Sequence, residues 1–140
     1  MALLDIDALP QVAVGFMNED HREEARLLNA VTSALGALKA GKGSRAEVAR
    51  AWRALDAHTR EHFAREERAM AQTGFPPYDV HRGEHELVLS AMDAELRAFE
   101  DGGDVARLAR YVERSMPDWL RRHIETMDSV TARFLAARGV

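Results

Sequence analysis

Residues 17–38 read MNEDHREEARLLNAVTSALGAL, and their spacing decides the fold. Met17, His21, Glu24, Leu28, Val31, Leu35 and Leu38 recur at steps of four and three. That spacing puts them on one stripe of an α-helix, as in a bundle helix buried along one side. Asn18, Glu19 and Asp20 offer a capping side chain and first-turn acids, and Gly41 and Gly43 end the run. The same stepping returns after Ser44, in Val48, Trp52, Leu55, Thr59, His62, Glu66 and Ala69, until Gly74, Pro76 and Pro77 stop it. A third stripe opens near Tyr78 and holds His81, His85, Val88, Met92, Leu96 and Phe99. It closes at Asp101-Gly102-Gly103, where Asp104 can cap a fourth helix.

Four helices, at about 18–40, 44–73, 78–101 and 104–138, therefore follow a leader of about 17 residues containing Pro10 and Gly15. Pro117 predicts a kink or break in the last helix. Short Gly-marked links make the expected architecture all-α: an up-down-up-down antiparallel four-helix bundle with an extended N-terminal leader. With 140 residues and no internal repeat or low-complexity segment, a single domain over 1–140 is expected.

Composition removes several kinds of chemistry. The chain has no cysteine, which excludes disulfides, iron–sulfur clusters, thiolate zinc sites and cysteine nucleophiles. Nineteen basic against 23 acidic residues give a net charge of −4, which argues against a nucleic-acid partner held by phosphate neutralisation. No stretch approaches the ~20 apolar residues a membrane span needs, so no membrane partner is expected. The first nine residues lack the basic and apolar regions of an export signal, which makes the cytoplasm the expected location. No Gly-rich nucleotide loop or serine nucleophile elbow occurs.

The inward stripes turn polar at particular turns. His21 lies on the first helix, His62 and Glu66 on the second, His81 and His85 on the third, and His123 and Asp128 on the fourth. The four-residue pairs share a helix face, roughly 6 Å apart along the axis. In antiparallel neighbours, groups early in one helix and late in the next meet at one level. Five imidazoles and two carboxylates would be costly to bury unpaired, and a metal relieves that cost by using their lone pairs. The set exceeds what one tetrahedral zinc needs and suits two first-row ions bridged by carboxylates. His123 and Asp128 are five apart, about 140° around a regular helix, so they either approach the site from two sides or share a locally widened helix; a π-type distortion is expected between Ile124 and Asp128.

His21, His62-Phe63-x-x-Glu66, His81-x-x-x-His85 and Trp119-x-x-x-His123-Ile124-x-x-x-Asp128 together resemble the hemerythrin family in its bacterial form. The resemblance implies a non-haem site of two iron ions. His81, His85 and His123 would hold one iron, His21 and His62 the other, with Glu66, Asp128 and an oxo or hydroxo group bridging. Dioxygen would bind at an open position on the second iron, with Phe63, Trp119, Leu120 and Ile124 as the apolar pocket wall. Iron over manganese or zinc comes from the resemblance, because nitrogen and oxygen donors accept several metals.

Glu24 departs from the pattern, because hemerythrins usually carry an apolar residue at this step. Its carboxylate either turns to the bundle end and meets water or an arginine, or lies within reach of the second iron. The second reading is the expectation here, with Glu24 as an extra ligand or proton donor. His58, one turn before His62 and off the stripe, reads as a packing residue or an outer partner of a ligand histidine. Tyr78 either bonds near the site or fastens the Pro76–Pro77 turn.

The expected function is binding of dioxygen, for delivery, storage or sensing. The alternative is an oxidoreductase (oxidase, peroxidase or NO-handling) in which Glu24 tunes the open iron. A third reading is iron buffering or sensing. The expected partner is O₂ or another small diatomic or peroxide ligand, and the sequence names no redox partner.

Overall fold

The computed structural model describes residues 3–140 and, among them, contains helices and no strand. Helix α1 spans Gly15–Lys39, α2 Arg45–Thr73 and α3 Tyr78–Glu100. The fourth helix, α4, covers 105–137 and is built from Val105–Arg110, Met116–His123 and Ser129–Ala137. Two π-turns, Tyr111–Ser115 and Ile124–Asp128, join these pieces. The helices pack as a four-helix bundle.

The ends follow from local chemistry. Ser44 caps α2 by accepting from the Glu47 amide, and Asp104 caps α4 by accepting from Ala106. Gly74 ends α2 at φ 69°, a left-handed conformation that costs glycine nothing. The start of α1 differs from the sequence expectation. The helix begins at Gly15, and Asn18 lies within its first turns rather than capping it. The Asn18 amide instead accepts from the Val12 amide and donates to the Val12 carbonyl, each at 2.9 Å. The leader is thus tied down, and Ile6–Ala8 forms a 3-10 turn within it. Asn29 repeats the device on Leu4, at 2.7 and 2.9 Å.

Pro117 does not break α4. The π-turn before it carries a bond from the Met116 amide to the Tyr111 carbonyl, five residues back. The wide turn accommodates a ring that would otherwise crowd the carbonyl four residues earlier.

Most of the bundle is an apolar core in which Leu28, Val31, Leu35, Val48, Trp52, Leu55, Met92, Phe99 and Leu108 pack together. A second layer of Val14, Met17, Ala132 and Leu135 packs at the other end. The polar turns of the inward stripes lie between the two. The leader lays Leu4, Ile6, Leu9 and Val12 over Ala25, Leu120 and Ile124.

Trp52 is fully buried, packs near Tyr111 with ring centroids 5.8 Å apart, and leaves its indole N–H without a partner. Trp52→Ala should therefore cost roughly 3–5 kcal/mol in chemical denaturation. Trp52→Phe should cost much less, because it also removes the unsatisfied donor. Asn29→Ala should cost about 1–2 kcal/mol and speed amide exchange in the leader, with the bundle core protected as before.

Candidate metal centre

The seven sequence-singled groups are all buried: His21, His62, Glu66, His81, His85, His123 and Asp128. Each arrives from the helix face that its stripe dictates. The one that regular geometry would misplace is Asp128. In the π-turn Ile124–Asp128 the Ser129 amide bonds to the Ile124 carbonyl. That inserts one residue into the turn and brings His123 and Asp128 to the same side.

The donors fall into two sets that share their carboxylates. Glu66 Oε1 lies 3.6 Å from His81 Nε2 and 3.3 Å from His85 Nε2. Asp128 Oδ1 lies 3.1 Å from His81 Nε2 and 3.2 Å from His123 Nε2. These five residues each offer a donor atom within 4.8 Å of all the others. The second oxygens face the other way. Glu66 Oε2 is 2.8 Å from His62 Nε2 and 3.9 Å from His21 Nε2, while Asp128 Oδ2 is 2.8 Å from His21 Nε2. One set thus contains three imidazoles and the other two, and each carboxylate turns one oxygen to each.

Two outward ring nitrogens are anchored. His85 Nδ1 donates to the Glu67 carboxylate at 2.9 Å, and His81 Nδ1 pairs with the Thr131 hydroxyl at 2.8 Å. With its hydrogen on Nδ1, His85 turns a bare Nε2 lone pair inward, as His81 does when it donates to Thr131. His81 Nε2 and His123 Nε2 then stand 3.1 Å apart. Two lone pairs at that distance repel unless a proton or a cation lies between them. Among the described residues, eight buried side-chain nitrogens and oxygens lack a hydrogen-bond partner, and six belong to His21, His62, Glu66, His85, His123 and Asp128. Such a concentration of unsatisfied donors and acceptors fits a site built to bind cations.

The electrostatics without a metal agree. Burial and the neighbouring Asp128 charge work to raise the Glu66 carboxyl, but the charge and hydrogen bond of His62 bring it down to about 2. Burial likewise opposes ionisation of Asp128, and the imidazoles of His123, His21 and His81 around it hold it well below the usual range. Burial opposes a charged His62, yet Glu66 and Glu24 keep it well above the usual imidazole range.

The remaining candidates take distinct places. Phe63 stacks on His85 with ring centroids 3.8 Å apart, and Trp119 stacks on His123 at 4.4 Å. Both aromatic rings therefore brace the three-histidine set, with Trp119 held by a bond from its indole N–H to Glu84 at 3.0 Å. Leu120 and Ile124 pack with Ala25 beneath the leader. Glu24 is only 2% exposed, so it does not turn out to water. Its carboxylate stands behind His62, 4.0 Å from Nδ1 and bonded to Thr59; it forms a separate donor group with His58 and His62 and does not join the donors that converge on Glu66 and Asp128. His58 places Nε2 3.2 Å from the Asp20 carbonyl and 3.9 Å from Glu24. Tyr78 is the first residue of α3, and its amide donates to the Phe75 carbonyl across the preceding turn.

Sequence reasoning missed the outer partners Thr131, Glu67, Glu84 and Thr59. Thr131 could have been found, since it follows Asp128 by three on the same face. Glu67 carried no such signal, being adjacent to Glu66 and off the stripe. Arg65, whose partner no spacing signalled, forms a two-pronged pair with Asp20 at 2.9 and 2.6 Å that joins α2 to α1 beside the site.

A pH dependence of the metal-free fold follows. Glu66, with its pKa lowered by folding, stabilises fully above its ordinary value of 4.5, and the effect is lost as pH falls toward 2. His62, with its pKa raised, stabilises fully below its ordinary value of 6.5, and the effect is lost as pH rises through the higher folded value. Thermal melting of chelator-treated protein should therefore be highest between 4.5 and 6.5. Added metal should move the optimum upward, because metal binding needs neutral imidazoles.

Comparison with known proteins agrees with this construction. The family model described as hemerythrin HHE cation binding domain matches residues 12–135. A bacteriohemerythrin of Ralstonia nicotianae is 38% identical over 120 residues, covering 86% of this chain and 80% of that protein. Bacteriohemerythrins of Aquifex aeolicus and Methylococcus capsulatus are 26% and 27% identical, covering 86% and 89% of this chain and 88% and 89% of theirs. A crystal structure of a leucine-to-phenylalanine mutant, 24% identical, shares the fold with a TM-score of 0.74 and covers 89% of each chain. Four stepped helices, a buried His/Glu/Asp cluster at one level of the bundle and a family match over nearly the whole length lead to one assignment: the chain belongs to the hemerythrin family.

Proposed function

We propose that the site holds two iron ions and that the protein binds dioxygen at the two-histidine half. The observation that carries this reading is the division of Glu66 and Asp128, each with one oxygen toward the three-histidine set and one toward the two-histidine set. On this reading His81, His85 and His123 hold one ion, and His21 and His62 hold the other. Glu66 and Asp128 bridge, with an oxo or hydroxo group completing the bridge. The half with fewer donors keeps a coordination position for a small ligand. Iron supplies electron transfer toward dioxygen, which no side chain here can provide.

The chain's own groups prepare that position. Thr131 and Glu67 fix two imidazoles of the fuller half, so that its geometry is set before any ligand arrives. Phe63 and Trp119 brace the same half. Leu120, Ile124 and the leader exclude water from the side of α4. The names of the relatives, bacteriohemerythrins, also support oxygen binding.

One observation favours a second reading, an oxidoreductase acting on O₂, peroxide or NO. Glu24, a buried acid, stands next to the two-histidine half where an apolar residue would protect a carried ligand. Iron buffering is a third reading supported by the donor set alone. No helix among the described residues is long and apolar enough to cross a membrane, and we place the protein in the cytoplasm.

Metal analysis and anaerobic reduction separate these readings. Two ferrous ions per chain are expected, with a long-lived visible absorption that appears in air and fades on degassing. Rapid, irreversible oxidation without such a band would favour the oxidoreductase, and ready loss of iron to a weak chelator would favour buffering. Glu66→Ala and Asp128→Ala should each disturb both ions, since each carboxylate serves both halves. His62→Ala should release one.

A further inference from the structure

The outward nitrogens of the site histidines are not treated alike. In the three-histidine half, His81 and His85 are anchored by Thr131 and Glu67. Three Nδ1 atoms, those of His21, His62 and His123, are buried without a partner. Of these three residues, only His62 is approached by a carboxylate other than the two shared ones. Glu24 Oε2 lies 4.0 Å from His62 Nδ1, about 1 Å beyond hydrogen-bond length.

Thr59 anchors the same carboxylate. Its hydroxyl is bonded to Glu24 Oε1, with Oε2 at 3.0 Å and the Leu55 carbonyl at 2.8 Å. Its single hydrogen can serve only one of the three. Donated to Oε1 or to Leu55, it leaves Oε2 free to accept from His62 Nδ1. His58 approaches the same oxygen, with its Nε2 3.9 Å away.

We propose that Glu24 is the positioning residue of the two-histidine half: it accepts a hydrogen bond from His62 Nδ1 when His62 Nε2 gives its lone pair to a cation. The inference rests on the two-ion reading above. A cation at Nε2 requires the hydrogen on Nδ1 and makes that N–H a stronger donor, so the bond tightens when it is needed. A carboxylate acceptor orients the ring and raises its donor strength, without itself touching the ion. Glu24 thereby does for this half what Glu67 does for the other.

Cobalt(II) binding under chelator competition tests this on the full chain. Wild type should bind two cobalt ions. Glu24→Leu should weaken one equivalent by about 10–100-fold and leave the other unchanged. Glu24→Gln, whose carboxamide oxygen still accepts, should fall between the two and shift the visible bands of that same equivalent. Glu67→Leu should weaken the opposite equivalent. The inference is overturned if Glu24→Leu weakens both ions, weakens neither, or weakens the one that Glu67→Leu weakens. It is also overturned if wild type binds a third ion that Glu24→Gln loses, since Glu24 would then be a ligand. One ion in wild type would instead overturn the two-ion reading. Melting of the metal-free variants checks folding, and the isosteric Glu24→Gln carries the test if the leucine variant does not fold.

Discussion

The sharing of two buried carboxylates among five imidazoles is the constraint on which the rest of the structure depends. Glu66 and Asp128 are fully buried, and so are the rings around them. Charges in such a place need partners from every side, because the interior solvates them poorly. No single helix can supply those partners. All four helices must therefore meet at one level, in one register, or the cluster loses its compensation. The apolar layers above and below the cluster supply the driving force, and the cluster sets the register.

Two local departures from ideal structure make that register possible. The π-turn at Ile124–Asp128 reconciles a five-residue spacing with a common target, at the cost of regular hydrogen bonding in that turn. The π-turn at Tyr111–Ser115 lets Pro117 sit within a long helix, so that His123 and Asp128 stay attached to the same rigid element as Leu108 and Val112. The leader adds a third device. Asn18 and Asn29 each pair an amide side chain with both polar groups of one leader residue, which satisfies backbone that a strand or helix would otherwise satisfy. It thereby holds apolar side chains over Leu120 and Ile124 without secondary structure of its own.

Around the cluster, polar side chains divide into those that face the shared carboxylates and those that stand behind the rings. Thr131, Glu67 and Glu24 belong to the second kind, and each comes from a helix other than that of the histidine it faces. Outer partners of this sort set ring orientation, and orientation sets donor strength. The asymmetry between three anchored or braced rings and two looser ones is what gives the site two unlike halves.

The bundle and the seven inward donors were legible in the sequence because both follow from helical periodicity. A stripe at steps of three and four reports what faces the core, whichever residues they are, so His62, Glu66, His81 and His85 announced themselves by occupying apolar positions. The spacing of His123 and Asp128 even pointed to the π-turn, since a regular helix sets the two about 140° apart. Periodicity says nothing of what lies across a gap between helices. That Glu24 would stand behind His62, that Asn18 would bind the leader instead of capping α1, and that Phe63 and Trp119 would stack on His85 and His123 depended on side-chain rotamers and interhelical distances. The sequence by itself determined the helices and which residues point inward, because those are local properties of a 3.6-residue repeat. Only the tertiary structure decided which inward groups touch, because that distance belongs to no single helix.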